Sequence, residues 1–298
     1  MNIISRWITA IIVSFTPLRL FLNKLSDLTN EANYRTGDKN VMLSRLERNS
    51  NASKLVLEVS DLLKIDYYFS DLVRVGDETD GGYFLEKSFL SSKACISFGV
   101  GDNVSFEREL GNHGIKTYLF DHTVPNLPGS IVNSHFYPLK IVPSNNKELN
   151  DHEITLENTL NLVPEEYKNG LILKCDIEGD EFEIFNSIEP ALLEIFDHIV
   201  IEFHQLTSVF EENQSKLILE TLKKFRFNHY LLNFNVNNNS RLRIIGNCPF
   251  PDVIEATFIK KSKADFIVNN NIIRGQIRTA SNLPDIPPII INFDQISK

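Results

Sequence analysis

The sequence predicts an α/β domain with a doubly wound, mostly parallel sheet. Two observations lead to this fold class. Between Ile65 and Lys261, short apolar runs alternate with amphipathic stretches, as strands alternate with helices in such domains. The runs are apolar throughout rather than at every second position, which is typical of parallel strands that are buried on both faces.

The elements follow from the spacing of the apolar residues. Continuous apolar runs predict strands at 94–98, 116–120, 134–139, 171–175, 198–201, 230–234 and 255–259. Apolar residues at helical spacing predict helices at 52–64, 106–113, 155–162, 181–188 and 211–225. Residues 262–298 contain Pro284, Pro287 and Pro288, which block helix and central strand and predict an extended tail.

This pattern divides the chain into three regions: an apolar segment, polar linker and helix at 1–64, the α/β domain at 65–261, and the tail at 262–298. The apolar run from Trp7 to Phe15 is interrupted by Pro17 and Arg19, and is too short for a membrane span of about 20 residues. The helical spacing of its apolar residues leaves two interpretations of this segment open. Residues 7–22 either dock on the domain or make peripheral contact with a membrane surface.

Charge and cysteine content limit the class of partner. The chain has 298 residues and 42% hydrophobic residues, and its Lys+Arg total of 30 against an Asp+Glu total of 39 gives a net charge of −9. This charge repels phosphate backbones, so we expect no nucleic-acid partner. Cys95, Cys175 and Cys248 form no CxxC pair, which favours free thiols in a reducing compartment such as the cytoplasm.

A glycine-containing turn follows the first predicted strand of the domain. It reads Gly99-Val100-Gly101-Asp102-Asn103 and leads into the helix that carries Glu107. Glycines let the backbone approach a ligand closely, and the amino end of a helix offers free N–H groups. Val104 replaces the third glycine of the dinucleotide fingerprint GxGxxG. A tight strand-to-helix turn would account for both glycines equally well.

Asp121 and His122 follow the second predicted strand. An acidic side chain at this place can accept hydrogen bonds from ribose hydroxyls, as in other nucleotide-binding α/β units. Together with the glycine turn one strand earlier, Asp121 predicts an adenosine-containing cofactor. A solvated aspartate in a turn is the alternative.

Carboxylates and a histidine follow the next two strands. Asp176 and Glu178 come after the strand 171–175, and Glu202 and His204 leave the strand 198–201 on one face. Such a set could deprotonate a hydroxyl or hold a divalent cation, and His204 is the proton acceptor suited to neutral pH. A structural role for a lone histidine remains the alternative. Asp180 and Glu183 have the spacing of a capping box, and Glu181 suits the helix dipole.

Taken together, these motifs resemble the FkbM-like S-adenosylmethionine-dependent methyltransferases. The matching strings are RVG, DGGYFL, ISFGVGDNVSFE, YLFDHT, LKCDIEGDEFEIF, VIEFH and PDVIEATFIK, which lie between Leu72 and Lys261. RVG and DGGY have no chemical signature of their own and could be ordinary turns. LLNFNVNNN departs from the family pattern, because asparagines stand where a histidine is expected.

The resemblance implies a Rossmann-like class I methyltransferase fold with a seven-stranded sheet, whose last strand is antiparallel. S-adenosylmethionine would lie against Gly99, Gly101, Asp102, Asp121 and His122, with Asp176 between the cofactor and the acceptor. The implied reaction is O-methylation of a sugar, a glycan or a related metabolite. His204, Asp176 and Glu202 would be the catalytic residues, with Mg²⁺ or Mn²⁺ as a further candidate cofactor.

Two other functions fit parts of the pattern. A nicotinamide-dependent oxidoreductase would also use Asp121, but the third glycine is missing. Tyr83 and Lys87 of the Tyr-x-x-x-Lys match also fall in a stretch whose residues are typical of a strand rather than of a helix. A non-catalytic scaffold in a glycan-assembly complex would keep the fold without turnover.

Overall fold

The computed structural model describes residues 42–44, 51–67, 69, 71–146, 148–245, 248–270, 277–285, 287–291 and 293. The apolar segment 7–22 lies outside the described residues, as does the polar linker apart from residues 42–44. In the described part of the chain, no helix is long and apolar enough to cross a membrane.

The strands are β1 (Met42–Ser44), β2 (Leu72–Val75), β3 (Tyr83–Glu86), β4 (Ala94–Phe98), β5 (Lys116–Phe120), β6 (Ser134–Tyr137), β7 (Lys140–Ile141), β8 (Glu153–Ile154), β9 (Leu171–Cys175), β10 (Phe196–Phe203), β11 (His229–Val236), β12 (Leu242–Ile245), β13 (Cys248–Pro251) and β14 (Ile254–Lys260). The α-helices are α1 (Asn51–Leu62), α2 (Ser105–Asn112), α3 (Leu156–Leu160), α4 (Glu181–Ser187), α5 (Glu212–Asn228) and α6 (Lys261–Asn270). Short 3₁₀ helices lie at Lys87–Ser91, Glu165–Tyr167, Pro190–Ile195 and Leu206–Phe210.

Seven strands form the main sheet in the order β11-β14-β10-β9-β4-β5-β6. The pairs from β10 to β6 are parallel, whereas β14 is antiparallel to both β10 and β11. The α/β class is therefore confirmed with a mixed sheet. Continuous apolar character did not reveal the antiparallel strand, because β14 is also buried on both faces and burial does not depend on strand direction.

The sheet is covered on both faces. Helices α1, α4 and α5 pack on one face, where Phe225 contacts the rings of Phe203 and Phe258. Helix α2 and the β2–β3 hairpin cover the other face. Side chains alternate along β4, so Cys95 packs on this face and its neighbour Ile96 packs on the face that α1, α4 and α5 cover. Each buried phenylalanine contributes about 1.5–3 kcal/mol relative to an exposed one.

Several boundaries differ from the sequence predictions. Strand β10 extends to Phe203, so that Glu202 lies within the strand, and β6 ends at Tyr137. The predicted extended tail begins with helix α6, since the first proline of the tail is Pro284 and nothing at 261–270 opposes a helix. No regular helix or strand is present at 277–285, in line with the expected extended tail.

The prediction of free thiols is confirmed for two of the three cysteines. Cys95 and Cys175 are buried and unpaired, and burial raises the pKa of both thiols well above the ordinary value. The side chain of Cys248 lies outside the described residues.

Candidate functional site

A cavity of about 480 Å³ opens at the carboxyl ends of β4, β5 and β9. The chain runs from β4 outward to β5 and β6 and then crosses to β9 on the other side of β4. Ligands of open α/β sheets bind at this reversal of strand order, in pockets of about 300–1,000 Å³. All six residues predicted to contact a cofactor line the cavity: Gly99, Gly101, Asp102, Asp121, His122 and Asp176.

The two glycines of the turn after β4 have different surroundings. Both have positive φ, 72° at Gly99 and 53° at Gly101. A Cβ atom on Gly99 would overlap the carbonyl oxygen of Asp176, whereas a Cβ atom on Gly101 would meet nothing within 4 Å. Gly99 is therefore required by the close approach of the turn to the end of β9, and Gly101 leaves open space at the wall of the cavity.

Asp121 fixes this turn from the end of β5. Its Oδ2 atom accepts hydrogen bonds from the N–H groups of Val100 and Gly101, both at 2.8 Å. Its Oδ1 atom accepts from the N–H and hydroxyl groups of Thr123, at 2.7 and 2.6 Å. Burial opposes the charge, but these bonds outweigh it and lower the pKa of Asp121. Four bonds fill the acceptor capacity of a carboxylate, so a ribose would have to displace some of them.

Lys174 and Tyr83 hold Asp176 at the boundary of the cavity. The Tyr83 hydroxyl donates to Asp176 Oδ2 at 2.7 Å, and the Lys174 ammonium lies 3.8 Å from the same oxygen. Lys174 also donates to the carbonyl oxygen of Gly99. Burial alone would lower the pKa of Lys174, but Asp176 and Glu107 raise it above its ordinary value, so the ammonium stays charged. Asp176 Oδ1 is buried and has no hydrogen-bond partner among the described residues.

The three predicted catalytic residues converge. Asp176, Glu202 and His204 each bring one oxygen or nitrogen within 4.8 Å of the others. Glu202 lies in β10 next to Asp176 at the end of β9, and its Oε1 atom accepts from the Asn237 amide at 2.8 Å. Two carboxylates and an imidazole are a donor set that fits a divalent cation, and the imidazole favours Mn²⁺ over Mg²⁺.

The surroundings of His204 change the role predicted for it. Burial alone would lower the pKa of His204, but the hydrogen bond and charge of Glu181, together with Glu202 and Asp176, raise it to about 9. The imidazole therefore carries its proton at neutral pH in this arrangement and is not the neutral base that its ordinary pKa predicted. Burial, with the charges of Asp176 and Glu255, raises the pKa of Glu202 well above its ordinary value.

Glu181 has a different role from the one its position at the start of α4 suggested. Its side chain is fully buried, and Oε1 accepts from His204 Nδ1 at 2.9 Å and from the N–H groups of Ile177 and Gly179. The predicted capping box is wrong, because Asp180 makes no side-chain capping bond and pairs instead with Lys140 at 3.3 Å. Glu181 therefore orients His204, as buried carboxylates orient catalytic and metal-binding histidines.

Further residues reach the site from motifs and strands that have no chemical signature of their own in the sequence. Arg74 and Tyr83 belong to the β2–β3 hairpin. DGGY contributes Asp80, Gly81 and Tyr83 to the lining of the cavity, whereas Arg74 of RVG contacts Glu255. Glu255 pairs with Glu202 in the sheet register and lies 3.8 Å from Arg74 Nη1. Burial raises the pKa of Glu255 to about 7, although Arg74 and two asparagine amides act against the rise. The sequence did carry one signal for Glu255. It is an acidic residue within an apolar strand, where burying its charge is costly unless it has partners.

Comparisons with known proteins identify no family for the chain. No family model matches it, and no curated protein sequence matches it. Among solved structures, a putative hemolysin from Streptococcus thermophilus is 13% identical, with a TM-score of 0.28 over 73% of this chain and 68% of that one. The methyltransferase CalO6 is 12% identical, with a TM-score of 0.25 over 56% and 57%. At such TM-scores neither likeness carries an argument, and the resemblance to the FkbM-like enzymes stays a prediction.

Proposed function

We propose that this protein is a class I, S-adenosylmethionine-dependent methyltransferase that methylates a hydroxyl group of a sugar, a glycan or a related metabolite. The observation that carries the proposal is the cavity at the reversal of strand order, lined by a glycine turn and by the ends of β5 and β9. The antiparallel last strand β14 also agrees with the fold that the sequence resemblance implies.

Glu107 supports an amino-acid-containing cofactor. This residue lies in the first turn of α2 beside the cavity and is 1% exposed. Its Oε1 atom accepts from the Ser97 hydroxyl at 2.6 Å, while Oε2 is buried without a hydrogen-bond partner in the described chain. A buried carboxylate oxygen of this kind calls for a donor. The ammonium group of the methionine part of the cofactor would supply it, and a nicotinamide dinucleotide has no equivalent group.

The carboxylates beside the cavity are suited to the proton transfer that O-methylation needs. The methyl group of a sulfonium is already activated, so the protein has to align donor and acceptor and remove the hydroxyl proton. Asp176 lines the cavity, its buried Oδ1 atom has no hydrogen-bond partner among the described residues, and Glu202 lies directly beside it. We assign proton acceptance to this pair, with Glu181 and His204 holding its geometry.

A divalent cation is the second candidate for the same cluster. Asp176, Glu202 and His204 would hold it through one donor atom each. Such an ion would supply Lewis acidity, which makes a bound hydroxyl group a stronger acid. Adding Mn²⁺ to the binding measurements below distinguishes this arrangement from one without a metal.

The test is calorimetric titration of the wild-type protein and of Glu107→Gln with S-adenosylmethionine and S-adenosylhomocysteine. The variant keeps the shape of Glu107 and the bond from Ser97. Loss of a charge-assisted hydrogen bond should weaken both ligands about tenfold to a hundredfold. 5′-Methylthioadenosine, which lacks the amino-acid part, should bind equally to both proteins and serves as the matched ligand.

The same experiment separates the rival functions. Binding of NADH in preference to S-adenosylmethionine would favour the oxidoreductase. Absence of binding by folded protein, with and without Mn²⁺, would overturn the methyltransferase proposal and favour a scaffold.

A further inference from the structure

Glu178 has a backbone conformation that glutamate normally avoids. It lies between the end of β9 and the start of α4, and its φ of 64° is in the left-handed region. A side chain with a Cβ atom is strained there, and asparagine and aspartate tolerate the region better than glutamate does. Strain of this kind persists only where the surrounding structure enforces it, and it is concentrated at active sites and ligand-binding sites.

The neighbours of Glu178 enforce this conformation. The N–H groups of Ile177 and Gly179, one on each side, both donate to the Oε1 atom of Glu181. Gly179 has a φ of 128°, and a Cβ atom on it would lie 2.7 Å from the side-chain nitrogen of Gln205. Gln205 follows β10 and is itself left-handed, with a φ of 59°. The segments after β9 and β10 therefore hold each other in place.

The fold gains little from the glutamate side chain that this turn presents. The side chain is 87% exposed, and its carboxylate lies 3.5 Å from His204 Nε2. An ion pair with so exposed a partner adds little to stability. Glycine would adopt the same backbone conformation without strain. A ligand is therefore a better reason than the fold for a glutamate at this place.

Glu178 lies at the solvent-exposed side of the cavity, beside the residues assigned to proton transfer. Glu178 and Asp176 both line the cavity. A ring nitrogen of His204 lies within 4.8 Å of carboxylate oxygens of Asp176 and Glu202. Glu181 engages Nδ1 of His204, which leaves Nε2 on the side of Glu178. A molecule that places a hydroxyl group at Asp176 therefore brings its adjacent atoms toward Glu178.

The chemistry of this place suits a second hydroxyl group of the same molecule. Each carboxylate oxygen has two acceptor sites. A hydroxyl group both donates and accepts, so it can bond to Glu178 and also to His204 Nε2, whether or not that nitrogen carries a proton. One oxygen can lie about 2.8 Å from each of two atoms that are 3.5 Å apart. Solvent reaches both side chains, which are 87% and 13% exposed.

We propose that Glu178 is an acceptor-binding residue, whose carboxylate accepts a hydrogen bond from a hydroxyl group next to the one that is methylated. The acceptor is then a sugar, or a related molecule, with free hydroxyl groups on two neighbouring carbon atoms. This inference rests on the proposed methyltransferase function, and it adds an acceptor-binding residue and a requirement on the acceptor.

The experiment uses saturation-transfer NMR titrations on the full chain loaded with S-adenosylhomocysteine. The probes are methyl hexopyranosides of the gluco, galacto and manno series. Each parent glycoside is paired with its 3-deoxy counterpart, which keeps three hydroxyl groups but has no two on neighbouring carbon atoms. Wild-type protein should bind at least one parent glycoside about tenfold more tightly than its counterpart, because the counterpart loses one charge-assisted hydrogen bond.

Three variants test the residue. Glu178→Gln keeps the size of the side chain and removes its charge, so its affinities for the parent and 3-deoxy glycosides should agree within about threefold. Glu183→Gln is the matched control, because Glu183 is an exposed residue of α4 that is not among the residues lining the cavity. Glu178→Gly should lose the preference as well, and should melt at the wild-type temperature or up to about 3 °C above it, since strain is relieved.

The outcomes separate the two proposals. Loss of the preference for the parent glycoside in Glu178→Gln but not in Glu183→Gln, with S-adenosylhomocysteine bound as by the wild type, supports the inference. Absence of glycoside binding by the loaded wild type, equal binding of parent and 3-deoxy glycosides by the wild type, or a retained preference in Glu178→Gln overturns the inference alone.

Two further results bear on the same residue. Weaker binding of S-adenosylhomocysteine by Glu178→Gln would assign Glu178 to the cofactor and overturn the inference. A melting temperature of Glu178→Gly more than about 2 °C below that of the wild type would show that the side chain supports the fold, with the same consequence. Absence of S-adenosylhomocysteine binding by the wild type overturns the proposed function and the inference with it.

Discussion

Gly99 and Gly101 both have positive φ but different neighbours. Replacing each by alanine should therefore distinguish the cost of backbone strain from the cost of steric overlap. Gly101→Ala should cost about 1 kcal/mol, the price of a left-handed alanine alone, because its Cβ atom meets nothing within 4 Å. Gly99→Ala should cost about 3 kcal/mol or more, since the new atom overlaps the Asp176 carbonyl. Urea unfolding of the two variants measures this difference, and equal midpoints would contradict it.

The contact between Glu181 and His204 gives a second prediction. Glu181→Gln removes the buried charge 2.9 Å from Nδ1, and the pKa of His204 should fall from about 9 by about 1–3 pH units. NMR titration of the imidazole in chelator-treated protein measures the change. Glu178→Gln is the matched control, because its carboxylate is 3.5 Å from Nε2 but 87% exposed and should matter less. A larger effect at Glu178 would rule out the assigned role of Glu181.

Residue type and position at strand ends predicted Asp176, Glu202 and His204, which the fold brings together. The same reasoning treated Glu181 as a helix-dipole residue, because a glutamate in a first helical turn is normally exposed. Its burial depends on the packing of α4 against β10, a tertiary contact that has no local signal.

A hydrogen bond from His229 links the start of β11 to the start of β10. Its Nε2 atom donates to the carbonyl oxygen of Phe196 at 2.8 Å, and burial lowers its pKa to about 4. In the unfolded chain this histidine binds a proton with a pKa near 6.5, whereas in the folded chain it binds one only near pH 4. Its contribution to the free energy of unfolding is therefore complete above pH 6.5 and is lost as the pH falls through about 4. The loss is about 3 kcal/mol.

Replacing His229 by glutamine should therefore flatten the pH dependence of stability between pH 6.5 and pH 4. Urea unfolding at a series of pH values compares the variant with wild type and with His152→Gln, a substitution at an exposed histidine. His198 is also buried and has a lowered pKa, so part of the pH dependence of stability should remain in the wild type and in both variants. Parallel profiles for wild type and His229→Gln would show that His229 does not contribute.

The strand elements were largely predictable, but apolar patterning did not reveal the direction of β14, which the family resemblance alone implied to be antiparallel. Apolar runs located β4, β5, β9 and β14 nearly to the residue. The antiparallel placement of β14 between β10 and β11 depends on which neighbours it meets, and both of its faces look alike in sequence. The asparagines of β11 were seen only as a departure from a family pattern, because their partners lie some 45 positions along the chain.

For the whole molecule, cofactor binding should raise thermal stability. A ligand at one hundred times its Kd adds about 2.7 kcal/mol, which corresponds to an increase in Tm of about 5–11 °C in a domain of this size. Glu107→Gln at the same concentration of S-adenosylmethionine should show a clearly smaller increase. Differential scanning calorimetry measures both, and 5′-methylthioadenosine should shift the two proteins equally. An equal shift with S-adenosylmethionine would remove Glu107 from the cofactor site.

The covered edge of strand β11 has a consequence for the solution behaviour of the chain. Strand β11 is the last strand at its side of the main sheet in the described structure, and its outer edge meets the C-terminal segment through the bridge between Val236 and Ile289. An uncovered strand edge is a template for pairing with another molecule. A chain shortened before residue 277 should therefore expose this edge and tend to self-associate, so removal of the C-terminal segment would reduce colloidal stability.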